Sequence, residues 1–172
     1  MHETPSTAKL ALKWGLISGV ATMLYSTLLY TTGLFNNPSA SWVTIILAVV
    51  FITLAMREFR ELNGGYLSYG EGVGLGTLTA AISGLLSATY GMIYTSFIDP
   101  TIMDQIIEAN RERMEEQGQL SDEQIEAAME TMQAFQSPGI TFFVGVLGAV
   151  LGGLLISLIV AAIMRRNRPV FE

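Results

Sequence analysis

The most conspicuous group of residues with chemical potential is a run of alternating glycines around one carboxylate. Its members are Gly70, Glu71, Gly72, Gly74 and Gly76. Glycine-rich loops bind phosphates when their spacing follows a Walker or dinucleotide-binding pattern, but this spacing matches neither and no lysine follows it. We therefore expect Glu71 to stabilise a helix N-terminus, where free amides and the helix dipole favour a carboxylate. A Glu71 side chain buried against a basic residue would instead indicate a proton or ion site.

Glycines four residues apart predict close helix contacts rather than chemistry. Residues at this spacing share one face of an α-helix, and small residues there let two helices approach closely within a membrane. The glycines with this spacing are Gly15 with Gly19, Gly72 with Gly76, and Gly148 with Gly152. We predict that all of them lie at helix contacts.

The chain lacks the usual parts of a catalytic or metal centre. It has no cysteine, and its single histidine is His2. Nucleophilic catalysis needs a base beside the nucleophile, and transition-metal sites need histidine or thiolate ligands. The carboxylates further along the chain follow no EF-hand pattern. We therefore expect no catalytic residue, no cofactor and no metal, and a protein that is not an enzyme.

Hydroxyl groups are the main polar groups of the long apolar stretches. They can donate to carbonyls of their own helix or of a neighbour, or they can line a path for a neutral solute. The relevant residues are Ser18, Thr22, Ser26, Thr27, Thr77, Thr79, Ser83, Ser87, Thr89 and Ser157. They leave an oligomeric carrier or channel for a small solute as an alternative function.

The elements that would position these residues are long helices without charge. No charged residue occurs in residues 14–56, 72–98 or 131–164. About 20 mostly apolar residues cross a hydrocarbon core of roughly 30 Å as a helix, so the first stretch suffices for two crossings and each of the others for one. We predict an all-α, polytopic membrane protein with a single four-helix membrane domain. Its transmembrane helices are placed at about residues 9–33, 41–59, 69–98 and 140–164.

An acidic island at residues 99–138 separates the third and fourth of these helices. It holds ten of the fifteen carboxylates but only two of the nine basic residues. Sequences typical of helix starts and stops punctuate it: Asp99-Pro100, Gly118 and Ser121-Asp122-Glu123-Gln124. They predict an extramembrane amphipathic hairpin, with a first helix at residues 100–117 and a second helix that ends at about Gln136.

Each hairpin helix has an apolar stripe at helical spacing. Ile102 and Ile106 lie on the first stripe, and Met129 and Met132 lie on the second. The stripes could pack on each other, on the membrane or on a partner, and methionine-rich surfaces adapt readily to partners. These four residues are the candidate partner surface, and we expect the carboxylates to form a solvated face.

The basic residues predict the orientation of the chain. Outside the island they lie at the N-terminus, in the loop between the second and third helices, and at the C-terminus: Lys9, Lys13, Arg57, Arg60, Arg165, Arg166 and Arg168. Short cytoplasmic loops are enriched in such residues. We predict a multi-pass protein of the bacterial inner membrane, with both termini cytoplasmic and residues 99–138 periplasmic.

Several ordered features carry a resemblance to a known family. They are Leu12-Lys13-Trp14-Gly15-Leu16, Leu67-Ser68-Tyr69-Gly70-Glu71-Gly72, Tyr94-Thr95-Ser96-Phe97-Ile98-Asp99-Pro100, the acidic hairpin, and the closing arginine cluster. Over nearly its full length the chain resembles the small, Bacteroidota-type inner-membrane proteins grouped as domain of unknown function 4199. The resemblance implies a four-helix inner-membrane protein and no particular activity, so it transfers no functional residue.

We therefore predict a structural, scaffold or accessory subunit that presents its periplasmic hairpin to a partner. The expected partners are the lipid bilayer and either another protein or further copies of this chain. The chain outside the island is only mildly basic, with seven basic residues against five carboxylates. This pattern resembles no nucleic-acid surface, so no nucleic-acid partner is expected.

Overall fold

The computed structural model describes residues 6–135 and 137–167. Within them the chain forms the α-helices α1 (Thr7–Thr32), α2 (Pro38–Leu62), α3 (Tyr69–Ile93), α4 (Thr101–Gln117), α5 (Asp122–Ala134) and α6 (Pro138–Met164). A 3₁₀ turn, Leu34–Asn36, follows α1, and a π-helical turn, Tyr94–Ile98, extends α3. The all-α prediction is confirmed. His2, Arg168 and the predicted helix end at Gln136 lie outside the described residues.

Helices long and apolar enough to span a membrane indicate a membrane protein. Among the described residues three helices qualify: α2, α3 together with its π-helical turn, and α6. The predicted first span falls in α1, which is not among them. Its lysines, serines and threonines lower the mean hydropathy of α1.

Local capping signals explain where the helices begin. Asn37 caps α2 by accepting from the Ser39 amide at 2.9 Å, and Ser137 caps α6 by accepting from the Ile140 amide at 3.3 Å. A proline follows each cap as the first helical residue, a position where its missing amide costs nothing. Both helices therefore start two to three residues before the predicted positions 41 and 140.

The helices α1, α2, α3 and α6 form an up-down-up-down bundle around α3. Gly15 lies against Ile82 and Ser18 against Ser83, so α1 runs parallel to α3. Ala161 contacts Gly72 and Ala149 contacts Gly84, so α6 runs antiparallel to α3. α2 runs antiparallel to α1 and also contacts α3 and α6.

One end of the bundle, here called the basic end, gathers the described basic residues outside the hairpin: Lys9, Lys13, Arg57, Arg60, Arg165 and Arg166. The half next to it contains the hydrophobic core. Phe59, Met56 and Leu67 are each no more than 2% exposed there, and residues of every bundle helix surround them. Leu67 and Arg166 exchange backbone hydrogen bonds of 3.0 and 2.8 Å, which join the α2–α3 loop to the end of α6. This half is closed by packing.

The opposite end, here called the hairpin end, is crossed by α4. α4 starts after the π-helical turn, and Arg113 near its C-terminus donates to the backbone carbonyl of Asn36 in the α1–α2 turn. α5 returns along α4, and Arg111 joins them through an ion pair with Glu126 at 2.9 Å. α4 therefore reaches from the end of α3 to the end of α1.

Candidate functional site

A cavity of about 500 Å³ occupies the half of the bundle next to the hairpin end. All four bundle helices and α4 contribute to its wall. Ile52 and Ile156 lie at its inner limit, where the hydrophobic core begins, and Met103 and Ile106 of α4 line it at the hairpin end. Pockets of this size in proteins accommodate small-molecule ligands.

Small residues create this space. α3 and α6 stay in close contact along the cavity, because Gly84 and Gly153 lie so near Ala149 and Ala80 that an added Cβ would overlap them. α2 does not follow them: Thr44 and Ile45 line the cavity yet remain exposed. The glycine and alanine residues on the facing surfaces of α3 and α6 are too small to fill the resulting gap.

A polar strip on α3 runs the length of the cavity. Thr79, Ser83, Ser87, Gly91 and Thr95 recur every four residues and all line the cavity, so they form a strip that winds gradually around the helix. The lining residues are otherwise apolar, glycine, or hydroxyl-bearing, and none carries a charge. The cavity is therefore suited to an uncharged molecule.

The hydroxyls of the strip already donate within the protein. Thr79, Ser87 and Thr95 donate to the carbonyls four residues earlier at 2.8 to 2.9 Å, and Ser83 donates to the Ser18 hydroxyl at 3.1 Å. A hydroxyl has one donor and two acceptor lone pairs. The strip therefore offers acceptors to a ligand but leaves no donor of its own unpaired.

An aromatic cluster closes the side of the cavity between α1 and the end of α3. The Tyr30 ring lies 4.7 Å from that of Tyr94, which in turn lies 5.8 Å from Tyr90. The Tyr90 hydroxyl contacts that of Thr27. Among the described residues the Tyr30 hydroxyl, which lines the cavity, makes no hydrogen bond, so it could donate to a ligand.

The six glycines for which we predicted helix contacts fall into two groups. An added Cβ would stand 2.7 Å from Ile82 at Gly15, 2.7 Å from Leu86 at Gly19 and 2.9 Å from Ala161 at Gly72, and it would overlap Ser157 at Gly76. These four glycines lie at tight contacts of α3 with α1 or α6. By contrast, apart from the adjoining part of α6 itself, no described heavy atom lies within 4 Å of a Cβ added to Gly148 or Gly152. Both line the cavity, because α2 diverges from α6 there.

The candidate partner surface faces mainly inward. Ile102 is 1% and Met129 4% exposed, and Ile106 and Met132 are half-buried. Ile106 lines the cavity. The apolar stripes are thus largely used within this chain, as expected where two amphipathic helices pack together.

Glu71 and Asp99 both act at helix starts. Glu71 forms a capping box with Ser68, accepting from the Ser68 amide at 2.8 Å while the Ser68 hydroxyl accepts from the Glu71 amide at 3.3 Å. Asp99 accepts from the Thr101 amide at 3.1 Å, and α4 begins at Thr101, one residue after the predicted start. Neither lines the cavity.

Half of the hydroxyl residues singled out in the sequence line the cavity: Ser18, Thr22, Thr79, Ser83 and Ser87. Thr95 could have been found from the sequence by continuing the four-residue repeat of α3. Thr44 and Thr141 carry no such signal, because neither belongs to a four-residue repeat of hydroxyls in its helix. Only the approach of α2 and α6 to α3 brings them to the site.

Among the described residues no group of three or more histidine, cysteine or acidic side chains could hold a metal ion.

Comparisons with known proteins identify a family. No curated protein and no solved structure matches the chain. The family model described as "Protein of unknown function (DUF4199)" matches residues 13–166, nearly the whole chain. The chain therefore belongs to the DUF4199 family.

Proposed function

We propose that α1 is a fourth membrane-spanning helix. With 26 residues it is about 39 Å long, which exceeds the roughly 30 Å of a hydrocarbon core. One of its faces packs on α3. Another face is exposed and apolar at every fourth residue, as a lipid-facing surface would be: Leu12, Leu16, Val20, Leu24 and Leu28.

We further propose that the protein lies in the bacterial inner membrane, with both termini cytoplasmic and residues 99–138 periplasmic. The described basic residues at the basic end support this orientation, since cytoplasmic loops are enriched in lysine and arginine. The exposed aromatic residues Trp42 and Phe97 lie toward the hairpin end. Aromatic belts mark membrane–water interfaces, so the hairpin would lie outside the hydrocarbon region.

The function that the geometry supports best is the binding of an uncharged ligand within the membrane domain. The uncharged cavity beneath α4 carries this proposal. The wall of a gap of about 500 Å³ in an otherwise tight bundle lacks van der Waals contacts unless a ligand fills the gap. The wall contains hydroxyls and apolar groups but no acid–base pair, which supports a binding rather than a catalytic role. A carrier or a membrane receptor would both use such a site.

Native mass spectrometry of protein extracted from its own membrane tests the proposal. Wild type should carry a bound molecule, and Gly148→Leu, which fills the cavity, should lose it. Gly74→Leu is the matched control, because Gly74 is also helical, exposed and open around its Cα but does not line the cavity. A wild-type protein that is free of any bound molecule, or equal binding by all three proteins, would rule out ligand binding here.

A partner-binding role for the hairpin is a second proposal, with either another protein or a second copy of this chain. It would have to use exposed residues rather than the inward-facing stripes. The exposed carboxylates of α4 and α5 support it, since of these only Glu115 and Glu126 form ion pairs among the described residues. A mild-detergent pull-down should then recover a partner from wild type and lose it when Glu112 and Glu116 are changed to Gln, while unaltered recovery would exclude this surface.

A further inference from the structure

We propose that the cavity accepts the acyl chain of a bilayer phospholipid, which enters sideways between α2 and α6. This inference rests on the proposed function and names the class of ligand. It uses three features of the structure: where the cavity opens, how its polar groups are paired, and what lies over its hairpin end.

The opening lies between α2 and α6. α1 and α2 remain joined toward the hairpin end, where the Tyr25 hydroxyl donates to the Ala40 carbonyl at 2.9 Å. α3 and α6 also remain in contact there, since a Cβ added to Gly145 would lie 3.5 Å from the Cβ of Ala88. Ile45 on α2 and Gly148 on α6, by contrast, line the cavity and are exposed. The gap between these two helices therefore connects the cavity with the outside of the bundle.

The rims of this gap are apolar. Ile45 is itself exposed at the gap, and the outer surfaces of α2 and α6 expose further aliphatic residues: Ile46, Val50, Leu147 and Leu151. These residues belong to two helices long and apolar enough to span a membrane. The gap therefore opens toward the hydrocarbon of the bilayer rather than toward water, and the molecules at highest concentration there are lipid chains.

The pairing of the polar strip allows an apolar chain to lie along it, and the Tyr30 hydroxyl is left as a donor elsewhere on the wall. Burying an unpaired donor against hydrocarbon costs about 1–3 kcal/mol, but the hydroxyls of Thr79, Ser83, Ser87 and Thr95 all donate within the protein. A chain can therefore lie along the strip without leaving a donor unsatisfied. The strip from residue 79 to residue 95 is about 24 Å long, a shape that suits an extended chain better than a compact solute.

The hairpin end of the cavity disfavours entry from water. Met103 and Ile106 place apolar side chains of α4 over it, and both are only half-buried. The basic residues of α4 point elsewhere, with Arg111 paired to Glu126 and Arg113 bonded to the Asn36 carbonyl. A charged headgroup would thus stay at the membrane surface while its chain enters the cavity.

The test uses a phospholipid with a photoactivatable diazirine on its acyl chain, in vesicles of phosphatidylethanolamine and phosphatidylglycerol that contain the purified full chain. After irradiation, mass spectrometry locates the labelled residues. We expect labels on the cavity side, at residues such as Ser87 and Gly145, in addition to the outer faces of the helices. Gly148→Leu should abolish the cavity labels and keep the outer ones, and Gly74→Leu should keep both.

Two further measurements separate the possible failures. If Gly148→Leu does not yield folded protein by circular dichroism, Ala48→Leu fills the same cavity from α2. Labels confined to outer faces, or cavity labels that survive both filling variants, overturn the acyl-chain proposal. If a bound molecule in native mass spectra then has the mass of a small solute, ligand binding stands and only the lipid assignment fails. If no molecule is bound at all, the proposed function fails as well.

Discussion

The two halves of the bundle are built from the same helices but differ in packing. Next to the basic end, the helices converge on a core that includes Phe59, Met56 and Leu75. Next to the hairpin end, the same helices surround a cavity of about 500 Å³. The difference arises mainly from α2, which contacts α3 and α6 around Met56 and leaves Thr44 exposed.

This difference shows how one bundle can combine stability with an open site. Interiors that are well packed gain dispersion energy at every contact, and a gap forfeits it. Bulky residues on α2 fill the basic half, whereas Ala48 faces the gap in the other half. The tight α3–α6 contact runs through both halves and provides the frame against which the cavity can remain open.

The largest expected difference is between two truncations to alanine. Phe59→Ala should lower the free energy of unfolding by about 3–5 kcal/mol, because it removes a buried ring and leaves a void. Ile106→Ala, at the edge of an existing cavity, should cost about 1 kcal/mol. Unfolding by sodium dodecyl sulfate, followed by circular dichroism in mild detergent, measures both. Equal costs would mean that the hairpin half is packed as firmly as the basic half.

Next in size is a pair of leucine insertions. Gly76→Leu should destabilise the protein by about 3 kcal/mol through overpacking, since even a Cβ would overlap Ser157 and lie 2.9 Å from Met56. Gly148→Leu should be neutral or stabilising by up to about 1 kcal/mol, because it meets open space and replaces a poor helix former. The same unfolding experiment compares them. A destabilising Gly148→Leu would contradict the open cavity.

Two carboxylates provide a smaller contrast. In the basic half Glu58 accepts from Lys13 at 2.8 Å and from the Trp14 indole at 2.6 Å, which ties α1 to α2. We expect Glu58→Ala to cost about 1–2 kcal/mol, and Glu126→Ala, in an exposed hairpin ion pair, to cost about 0.5 kcal/mol or less. Thermal unfolding of both variants in detergent checks the order, and a reversed order would contradict this account.

The smallest effect should be local. Arg113→Ala removes the contact between α4 and the Asn36 carbonyl, which should speed amide hydrogen exchange in α4 about fivefold, as expected for the loss of about 1 kcal/mol. Exchange in α6 should not change, and global unfolding should shift by less than about 0.5 kcal/mol. Unaltered exchange in α4 would show that other contacts hold the hairpin in place.

Much of the fold could be predicted because its signals are local. Charge-free stretches indicated the long helices, and capping residues marked their ends. The predicted stop at Gly118 matches the C-cap of α4, where this residue has a φ of 60° that glycine adopts without strain. The predicted starts of α2 and α6 lie two to three residues too late, because Asn37 and Ser137 cap these helices and the proline after each cap is already helical. The π-helical turn after Ile93 follows from no local sequence pattern.

The site was less predictable than the fold. The spacing of Gly148 and Gly152 is the same as that of Gly72 and Gly76, yet the first pair lines the cavity and the second lies at helix contacts. Spacing shows that two residues share a helix face, but it does not show what that face meets. The hydroxyl residue Thr44 likewise became part of the site only through the position of α2.

The sequence by itself determined that the chain is helical, where its helices start and stop to within a few residues, and that charge is concentrated in one hairpin. These properties depend on residues a few positions apart, through capping, hydropathy and helical spacing. Only the tertiary structure decided that the hairpin stripes face inward, that α4 crosses the end of the bundle, and that a cavity lies beneath it. Those features depend on contacts between helices that are far apart in the sequence, and the cavity depends in particular on the divergence of α2 from α6. Side-chain volumes on several helices set these contacts, and no local sequence pattern brings them together.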